Sequence, residues 1–557
     1  MSDKQKARNS FIVNGTILAA AGILVRLIGL LYRIPLTNII GKGGNGLYSN
    51  AYSIYNILLL VSSLSLPVAI SKIVSSKIAA RKYEDCVALL KCALLFAFTI
   101  SSIIGLFTFI FAEKIAYMIS YPSCTPALKV IAPTVVVMSV VGVLRGYFQG
   151  LNTMIPTAVS QIFEQIINAV ISIVAAKKFT EIGVHVVNKY GEGTMRDAYG
   201  AAGSTLGTCM GAVTALAIMM LYFFVNKKEI TFERRISRNR YLEESDSKEI
   251  FKLFILTVIP VLLSTTIYQL SNTLDGFVFG NILRSKGIIE DAYKDVWGVY
   301  SGNYVLISNI PVAIAAALST SLVPSLISSY TKGDDEEVAG KISVLLKFTF
   351  IVALPSGVGL TVLGKPIIAM MFRNTITHIA YTLMKFSLLT VVFYSLSTIT
   401  NAILQGIDKL SIPLKHSAIS FGIHIILLPL SLCFITKNNF EKAIYIIVVF
   451  DILYSIVLCI LNAIAIRKYT IYRFEWMNVF VRPFICAIVM GAITYCSYKV
   501  LKMFIPFMFA CIISIGVAVI VYAVSLIAFK AITKDELLNM PKGHMIYRLL
   551  KKVHLMN

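Results

Sequence analysis

Four basic side chains lie inside or at the ends of long apolar segments. Arg26 and Arg33 belong to "GILVRLIGLLYRIPL" at residues 22–36, and Lys72 and Arg145 stand near the ends of later apolar segments. An arginine at the centre of a bilayer costs about 2.5 to 3.5 kcal/mol even on a lenient insertion scale. Because of this cost, we expect the basic side chains to have a function, and we predict that they line a cationic cavity within the membrane.

The two arginines of the first segment share one face of a predicted helix with two glycines. Gly22, Arg26, Gly29 and Arg33 stand at i, i+4, i+7 and i+11. Small residues mark surfaces where a transmembrane helix packs against protein, so this stripe is expected to face the bundle or a cavity within it. We interpret Arg26 as a cavity residue. The other three cations could instead extend to the lipid headgroups.

Neutral polar side chains and carboxylates form further stripes along apolar segments. Such a stripe must face partners or water, although hydrogen bonds between helices would explain its neutral members equally well. Asp275 and Asp451 are candidate sites for a coupling ion, Na⁺ or H⁺, and pairing with a nearby lysine is the alternative. The predicted cavity residues are Gln161, Glu164 and Asn168 in one segment, Tyr268 and Asn272 in a second, and Asn401 in a third.

The elements that must position these residues are membrane-spanning helices. The chain of 557 residues is 57% hydrophobic and 14% charged, which is too apolar for a soluble globular protein. About fourteen stretches are long enough to cross roughly 30 Å of hydrocarbon. They lie near 11–36, 47–71, 87–111, 128–149, 156–176, 199–225, 251–275, 298–325, 343–363, 379–404, 414–436, 443–466, 480–500 and 503–529. The predicted fold is an all-α polytopic membrane protein.

The distribution of charge predicts the orientation and the surroundings of the chain. Lys and Arg are concentrated in the loops that an even number of spans places together with both termini, so both termini are expected to be cytoplasmic. The formal net charge of +23 is spread over these loops and helix ends, which favours contact with anionic membrane lipids and no nucleic acid. The nine cysteines show no CxxC spacing, and we expect no disulfide framework and no metal site.

Short matches at a nearly constant offset indicate an internal duplication. "GLYS" at 46 recurs as "GVYS" at 298, "TVV" at 134 as "TVV" at 390, and "QG" at 149 as "QG" at 405. Each copy holds six predicted spans, so a parallel pseudo-two-fold along the membrane normal should relate two six-helix lobes. The predicted organisation is an N-lobe at 1–226, a basic cytoplasmic linker at 227–250, a C-lobe at 251–466, and two extra C-terminal helices with a cytoplasmic tail at 467–557.

Two stretches carry a resemblance to a known family. "VRLIGLLYRIPLTNIIGKGGNGLYSNAYSIYNILLLVSSLSLPVAISKIVSSKIA" and "LRGYFQGLNTMIPTAVSQIFEQIINAV" resemble the polysaccharide-flippase branch of the multidrug/oligosaccharidyl-lipid/polysaccharide exporter superfamily, and within it the lipid II flippases of the MurJ and stage V sporulation protein B type. The similarity extends over essentially the whole chain. It does not identify one substrate.

The resemblance implies a transporter and not an enzyme. Its expected partner is undecaprenyl-pyrophosphate-linked peptidoglycan precursor, carried across the bacterial cytoplasmic membrane by a monomer through alternating access. Arg26 falls on the position of a cavity arginine of the family, and Arg33 fits with a shift of one residue. Asp275 is a plausible counterpart of an acid in the family's Na⁺ site. No cofactor is expected, and the coupling would come from Na⁺, H⁺ or the membrane potential. Arginine also suits the cargo, because its planar fork matches the geometry of phosphate.

Three alternatives stay open at this level. The cargo could be another undecaprenyl-linked glycan, such as a teichoic acid or capsule precursor, because they share the pyrophosphate. A multidrug exporter of the same superfamily would have the same two lobes, but carboxylates would be expected in place of the arginines. A membrane enzyme acting on the same lipid would need acid/base residues on a long outside loop, and "KKFTEIGVHVVNKYGEGTMRD" has no recognisable arrangement of that kind.

Overall fold

The computed structural model describes residues 18, 20–62, 66–80, 82–190, 194–226, 247–375, 377–409 and 411–531, without the side chains of 61, 79, 190, 247, 248, 259–273, 317–322, 324, 328 and 374. This part of the chain is helical and contains no strand. The predicted all-α fold is therefore confirmed. The helices are α1 Ala20–Leu31, α2 Arg33–Ser62, α3 Leu66–Ala79, α4 Tyr83–Ile110, α5 Ala112–Met118, α6 Thr125–Gly150, α7 Ile155–Tyr190, α8 Met195–Val225, α9 Ser247–Ser285, α10 Glu290–Val299, α11 Leu306–Lys332, α12 Asp335–Met371, α13 His378–Leu383, α14 Ser387–Gly406, α15 Ser411–Cys433, α16 Ala443–Tyr469, α17 Arg482–Phe504 and α18 Phe507–Ala528.

Eleven helices of the described chain are long and apolar enough to span a membrane, or twelve when α1 and the segment Arg33–Leu60, which bend by 42°, count as one span. The predicted number was about fourteen. The predicted span at 251–275 falls within α9, whose side chains are described only in part. The predicted spans at 11–36 and 47–71 meet in α2, which has non-helical backbone at Gly41 (φ 73°). Only glycine adopts this conformation without strain, so Gly41 divides α2 into two helices.

The helices group into two compact units. The first consists of Met1–Gly302 and Pro429–Ile444, and the second of Asn303–Leu428 and Tyr445–Asn557. The predicted lobe boundaries at 226, 250 and 466 follow the sequence repeat and remain a prediction. The predicted linker and tail fall largely on 227–246 and 532–557, which lie outside the described residues.

Small residues bring α8 unusually close to α7 in the first unit. Gly203, Gly207 and Gly211 form a stripe with a spacing of four residues. A Cβ atom added to any of them would lie against α7. A Cβ at Gly203 would lie 2.6 Å from the carbonyl oxygen of Ala175, and one at Gly211 would lie 2.7 Å from that of Glu164. Without these side chains the two backbones pack in direct contact, as is common for helices in membranes. This packing fixes the rotation of α7 about its axis.

A second close contact joins the two matching sequence motifs. A Cβ at Gly46 would collide with the carbonyl oxygen of Lys294, and a Cβ at Gly298 would collide with that of Lys42. The two contacts are reciprocal: Lys42 and Lys294 are 252 residues apart in the sequence, and so are Gly46 and Gly298. A two-fold axis that passes between Gly46 and Gly298 would produce this arrangement, because a symmetric contact repeats each interaction with the partners exchanged.

Candidate anion-binding site

Helix α7 has one apolar and one polar face, and the two are opposite each other. Ile155, Val159, Phe163, Ile166 and Val170 expose between 37% and 52% of their surface. The polar residues of the predicted stripe lie about 180° around the helix at 100° per residue, and Asn168 among them is buried. The apolar face suits lipid, so the polar face points into the protein.

Arg145 and Glu164 form an ion pair on this inward face. Arg145 is on α6, where Gly146 and Gly150 pack against Pro67 and Val74 of α3. Its Nη2 donates to Oε2 of Glu164 at 2.7 Å. The sequence marked both residues separately, but their pairing depends on the packing of α6 against α7 and could not be predicted from spacing.

Ser160 holds the same guanidinium from a second direction. Arg145 Nε donates to Ser160 Oγ at 3.0 Å, and Ser160 Oγ donates to the carbonyl oxygen of Thr157 at 2.9 Å. The side chain of Arg145 is 10% exposed and that of Glu164 is 25% exposed. The pair is therefore enclosed but reachable at the carboxylate.

Arg33 lies beside two tyrosines of α2, Tyr48 and Tyr52. Its Cζ is 5.4 Å from the ring centroid of Tyr48 and 5.6 Å from that of Tyr52. Contacts of this kind stabilise a guanidinium over an aromatic face. Sequence reasoning did not single out the tyrosines, although "LYSNAY" places them four apart on one helix face.

Arg26 is exposed on α1. At 100° per residue, the exposed apolar residues of this helix lie about 60° (Ile23), 100° (Leu27), 140° (Leu31) and 160° (Leu24) around the axis from Arg26. Gly29 approaches α7, since a Cβ there would be 2.9 Å from Gln165 Nε2, whereas Gly22 has no neighbour within 4 Å. The predicted packing stripe thus holds for Gly29 and does not extend to Gly22.

The remaining predicted site residues are distributed as follows. Lys72 is exposed on α3, and Gln161 is half-buried on α7. Asn168 accepts a hydrogen bond from Ser172 Oγ at 3.0 Å. Asp275 is buried on α9, and Asp451 is half-buried on α16. The side chains of Tyr268 and Asn272 lie outside the described residues.

The second unit contains a buried amide network around Asn401. Asn462 Nδ2 donates to Asn401 Oδ1 at 2.8 Å and to Thr400 Oγ1 at 3.0 Å. On the other side, His416 Nδ1 lies 2.7 Å from Asn462 Oδ1. Asn401 therefore has a structural partner on a neighbouring helix, as the alternative of interhelical hydrogen bonding predicted. The histidine and Asn462 were not found from the sequence, because single polar residues in separate spans carry no spacing signal.

Acidic residues neutralise the lysines at the Gly46–Gly298 contact. Lys42 Nζ is 2.8 Å from Asp295, and Lys294 Nζ is 3.1 Å from Asp197 and 2.6 Å from Asp291. The side chain of Lys294 is only 3% exposed. These lysines already have carboxylate partners, so the cations with donors available for an anion are better sought among Arg26, Arg33 and Arg145.

Comparison with known proteins places the chain in a family. The profile of the family described as "Polysaccharide biosynthesis protein" matches residues 11–331, and that of MatE matches 303–430. Two curated relatives come from Bacillus subtilis (strain 168). The "Lipid II flippase MurJ" is 24% identical over 72% of this chain and 74% of its own length, and "Stage V sporulation protein B" is 27% identical over 67% of each.

Solved structures agree on the fold. A lipid II flippase MurJ in an inward closed conformation superposes with a TM-score of 0.63 over 92% of this chain and 98% of its own, at 14% identity. An inward-facing multidrug resistance MATE family transporter of the MOP superfamily gives a TM-score of 0.57 over 80% of this chain and 95% of its own, at 17% identity. The chain belongs to the polysaccharide biosynthesis protein family and is a multi-pass membrane transporter of the multidrug/oligosaccharidyl-lipid/polysaccharide exporter superfamily.

Proposed function

We propose that the chain is a flippase that moves undecaprenyl-pyrophosphate-linked peptidoglycan precursor, lipid II, across the cytoplasmic membrane by alternating access. The observation that carries the proposal is the set of three guanidinium groups on the N-terminal helices: Arg26, which is exposed on α1, Arg33, which lies beside Tyr48 and Tyr52, and Arg145, which is buried beside α7. In the described part of the chain, Glu164 is the one carboxylate that forms an ion pair with any of these three arginines. Such a balance favours an anionic cargo.

The roles of the three arginines differ. Arg26 is exposed, and its fork would bind the pyrophosphate directly through two parallel hydrogen bonds. Arg33 would add a second cation held in place by Tyr48 and Tyr52. Arg145 would bind the pyrophosphate once its ion pair with the carboxylate of Glu164 has broken. Lys72, the polar residues of α7, Tyr268, Asn272 and Asn401 remain individual predictions for residues that line a cavity.

The proposal includes the setting of the transporter. Both termini would be cytoplasmic by the positive-inside rule, and the protein would act as a monomer without a cofactor or catalytic activity. Asp275 and Asp451 would be candidate sites for Na⁺ or H⁺ coupling, with the membrane potential as another source of energy.

The test of this proposal also distinguishes two other classes of cargo. Teichoic acid and capsule precursors have the same undecaprenyl pyrophosphate, which is the part that arginines would recognise. A multidrug exporter is suggested by the MatE match at 303–430. A cavity for lipophilic cations would need excess negative charge, and the three arginines Arg26, Arg33 and Arg145 beside the single carboxylate of Glu164 argue against it.

The test is growth rescue in cells depleted of their own lipid II flippase. We expect the wild-type chain to restore growth, Arg26→Ala to fail, and Arg26→Lys to restore it in part, because lysine keeps the charge but not the fork. Arg467→Ala is a matched control, since Arg467 is an exposed arginine at the end of α16. All variants are compared at equal membrane levels. A well-expressed wild type that does not rescue would point to another undecaprenyl-linked glycan or to a drug, and full rescue by Arg26→Ala would remove Arg26 from the site.

A further inference from the structure

Glu164 is the one acid on the inward face of α7, and it neutralises an arginine that an anionic cargo could use. It sits on the polar side of α7 at 2.7 Å from Arg145. Its side chain is 25% exposed, which is more than twice the exposed fraction of the Arg145 side chain. The carboxylate can therefore move away while Arg145 stays where it is.

Ser160 gives Arg145 a fixed position that does not depend on Glu164. Its Oγ accepts from Arg145 Nε, and it is itself tied to the backbone at Thr157. The Nη donors of the guanidinium, one of which now serves Glu164, would then remain oriented for another oxygen. A phosphate that displaces the carboxylate would meet a donor that is already placed.

We propose that Glu164 is a specificity-determining residue that excludes membrane phospholipids with a single phosphate charge and admits a lipid with more than one negative charge on its phosphates. The inference rests on the proposed function, because it assumes a pyrophosphate-linked cargo. Glu164 acts as an internal competitor for Arg145. A singly charged phosphodiester that replaces it would exchange one anion for another with little gain in electrostatic energy.

A pyrophosphate gains more electrostatic energy than a phosphodiester when it replaces Glu164. It carries at least one more negative charge and further acceptor oxygens, so it can bind Arg26 or Arg33 while it replaces Glu164 at Arg145. A cationic site in a membrane is surrounded by phosphodiester lipids in large excess over any single cargo. Discrimination against them needs a repulsive element as well as an attractive one, and Glu164 supplies that element.

The experiment measures selectivity between two lipids on the purified full-length chain in detergent. Undecaprenyl pyrophosphate and phosphatidylglycerol are titrated by native mass spectrometry, and the ratio of their dissociation constants is compared between variants. In the wild type we expect a clear preference for the pyrophosphate. In Glu164→Gln we expect phosphatidylglycerol to bind about tenfold more tightly or better and the preference to fall by the same factor.

Two variants separate this effect from damage to the fold. Glu164→Asp keeps the charge and should keep most of the preference. Asp85→Asn removes a comparable carboxylate, 2.7 Å from Lys77 and outside the site, and should leave the preference unchanged. A Glu164→Gln protein with the wild-type ratio, or one in which both lipids weaken equally, would overturn the inference alone. A wild type with no preference for pyrophosphate would overturn the proposed function with it.

Discussion

Arg33 illustrates how a charge can be kept inside an apolar segment. Its guanidinium is half-buried and lies within 5.6 Å of two tyrosine ring centroids. Each contact adds about 0.5 to 2 kcal/mol, depending on how far the cation is removed from water. Tyr48 and Tyr52 are thus positioning residues for Arg33.

The account predicts that the ring of Tyr52 matters and that its hydroxyl does not. Tyr52→Leu should weaken binding of undecaprenyl pyrophosphate about two- to thirtyfold, the range that corresponds to a lost cation–π contact. Tyr52→Phe should bind like the wild type because it keeps the aromatic face. Titration of both purified variants, with their melting temperatures as a control for folding, checks this. Equal weakening in Leu and Phe would assign the effect to the hydroxyl instead.

At the residue scale the sequence identified which side chains were unusual but not what they contact. Arg145 and Glu164 were both visible as charged residues in apolar helices, and their separation of 19 residues contained no information about pairing. The pair bridges α6 and α7, which are held in place by packing of both helices against α8, in part through the glycines of α8. The tyrosines beside Arg33 were missed because aromatic residues are ordinary in such helices.

At the scale of elements, glycines determine where helices meet. Gly203, Gly207 and Gly211 seat α8 on α7, and Gly46 and Gly298 bring α2 and α10 into backbone contact. The lysines around the latter contact are paired with Asp295, Asp197 and Asp291. The sequence match between "GLYS" and "GVYS" predicted a duplication. That the two copies of the motif touch each other could only be learned from the structure.

Alanine at either glycine of this contact should destabilise the protein. A Cβ at Gly46 or Gly298 would overlap a backbone carbonyl, which cannot move as a flexible side chain can, and overpacking of this kind costs about 1 to 3 kcal/mol. Gly359→Ala is the matched control, because no atom lies within 4 Å of its Cβ position. We expect melting temperatures in detergent to fall for Gly46→Ala and Gly298→Ala only. An unchanged value for both would mean that the contact opens without loss.

At the scale of the whole molecule, composition was sufficient for the class of protein. The high content of apolar residues predicted a helical membrane protein, and the described chain and the family matches agree with this prediction. The number of spans was harder to obtain, because hydropathy does not locate the break at Gly41 or the bend between α1 and α2. The choice of cargo depends on the arrangement of a few charges, which hydropathy does not report.

The measurement that tests the central claim most directly is lipid translocation in liposomes reconstituted with the purified chain. A fluorescent lipid II analogue is placed in both leaflets, and its loss to an impermeant quencher is followed over time. The account predicts faster translocation by the wild type than in protein-free liposomes, a loss of about tenfold or more in Arg26→Ala, and an intermediate rate in Arg26→Lys. Translocation by Arg26→Ala at the wild-type rate, or none by a well-folded wild type, would contradict it.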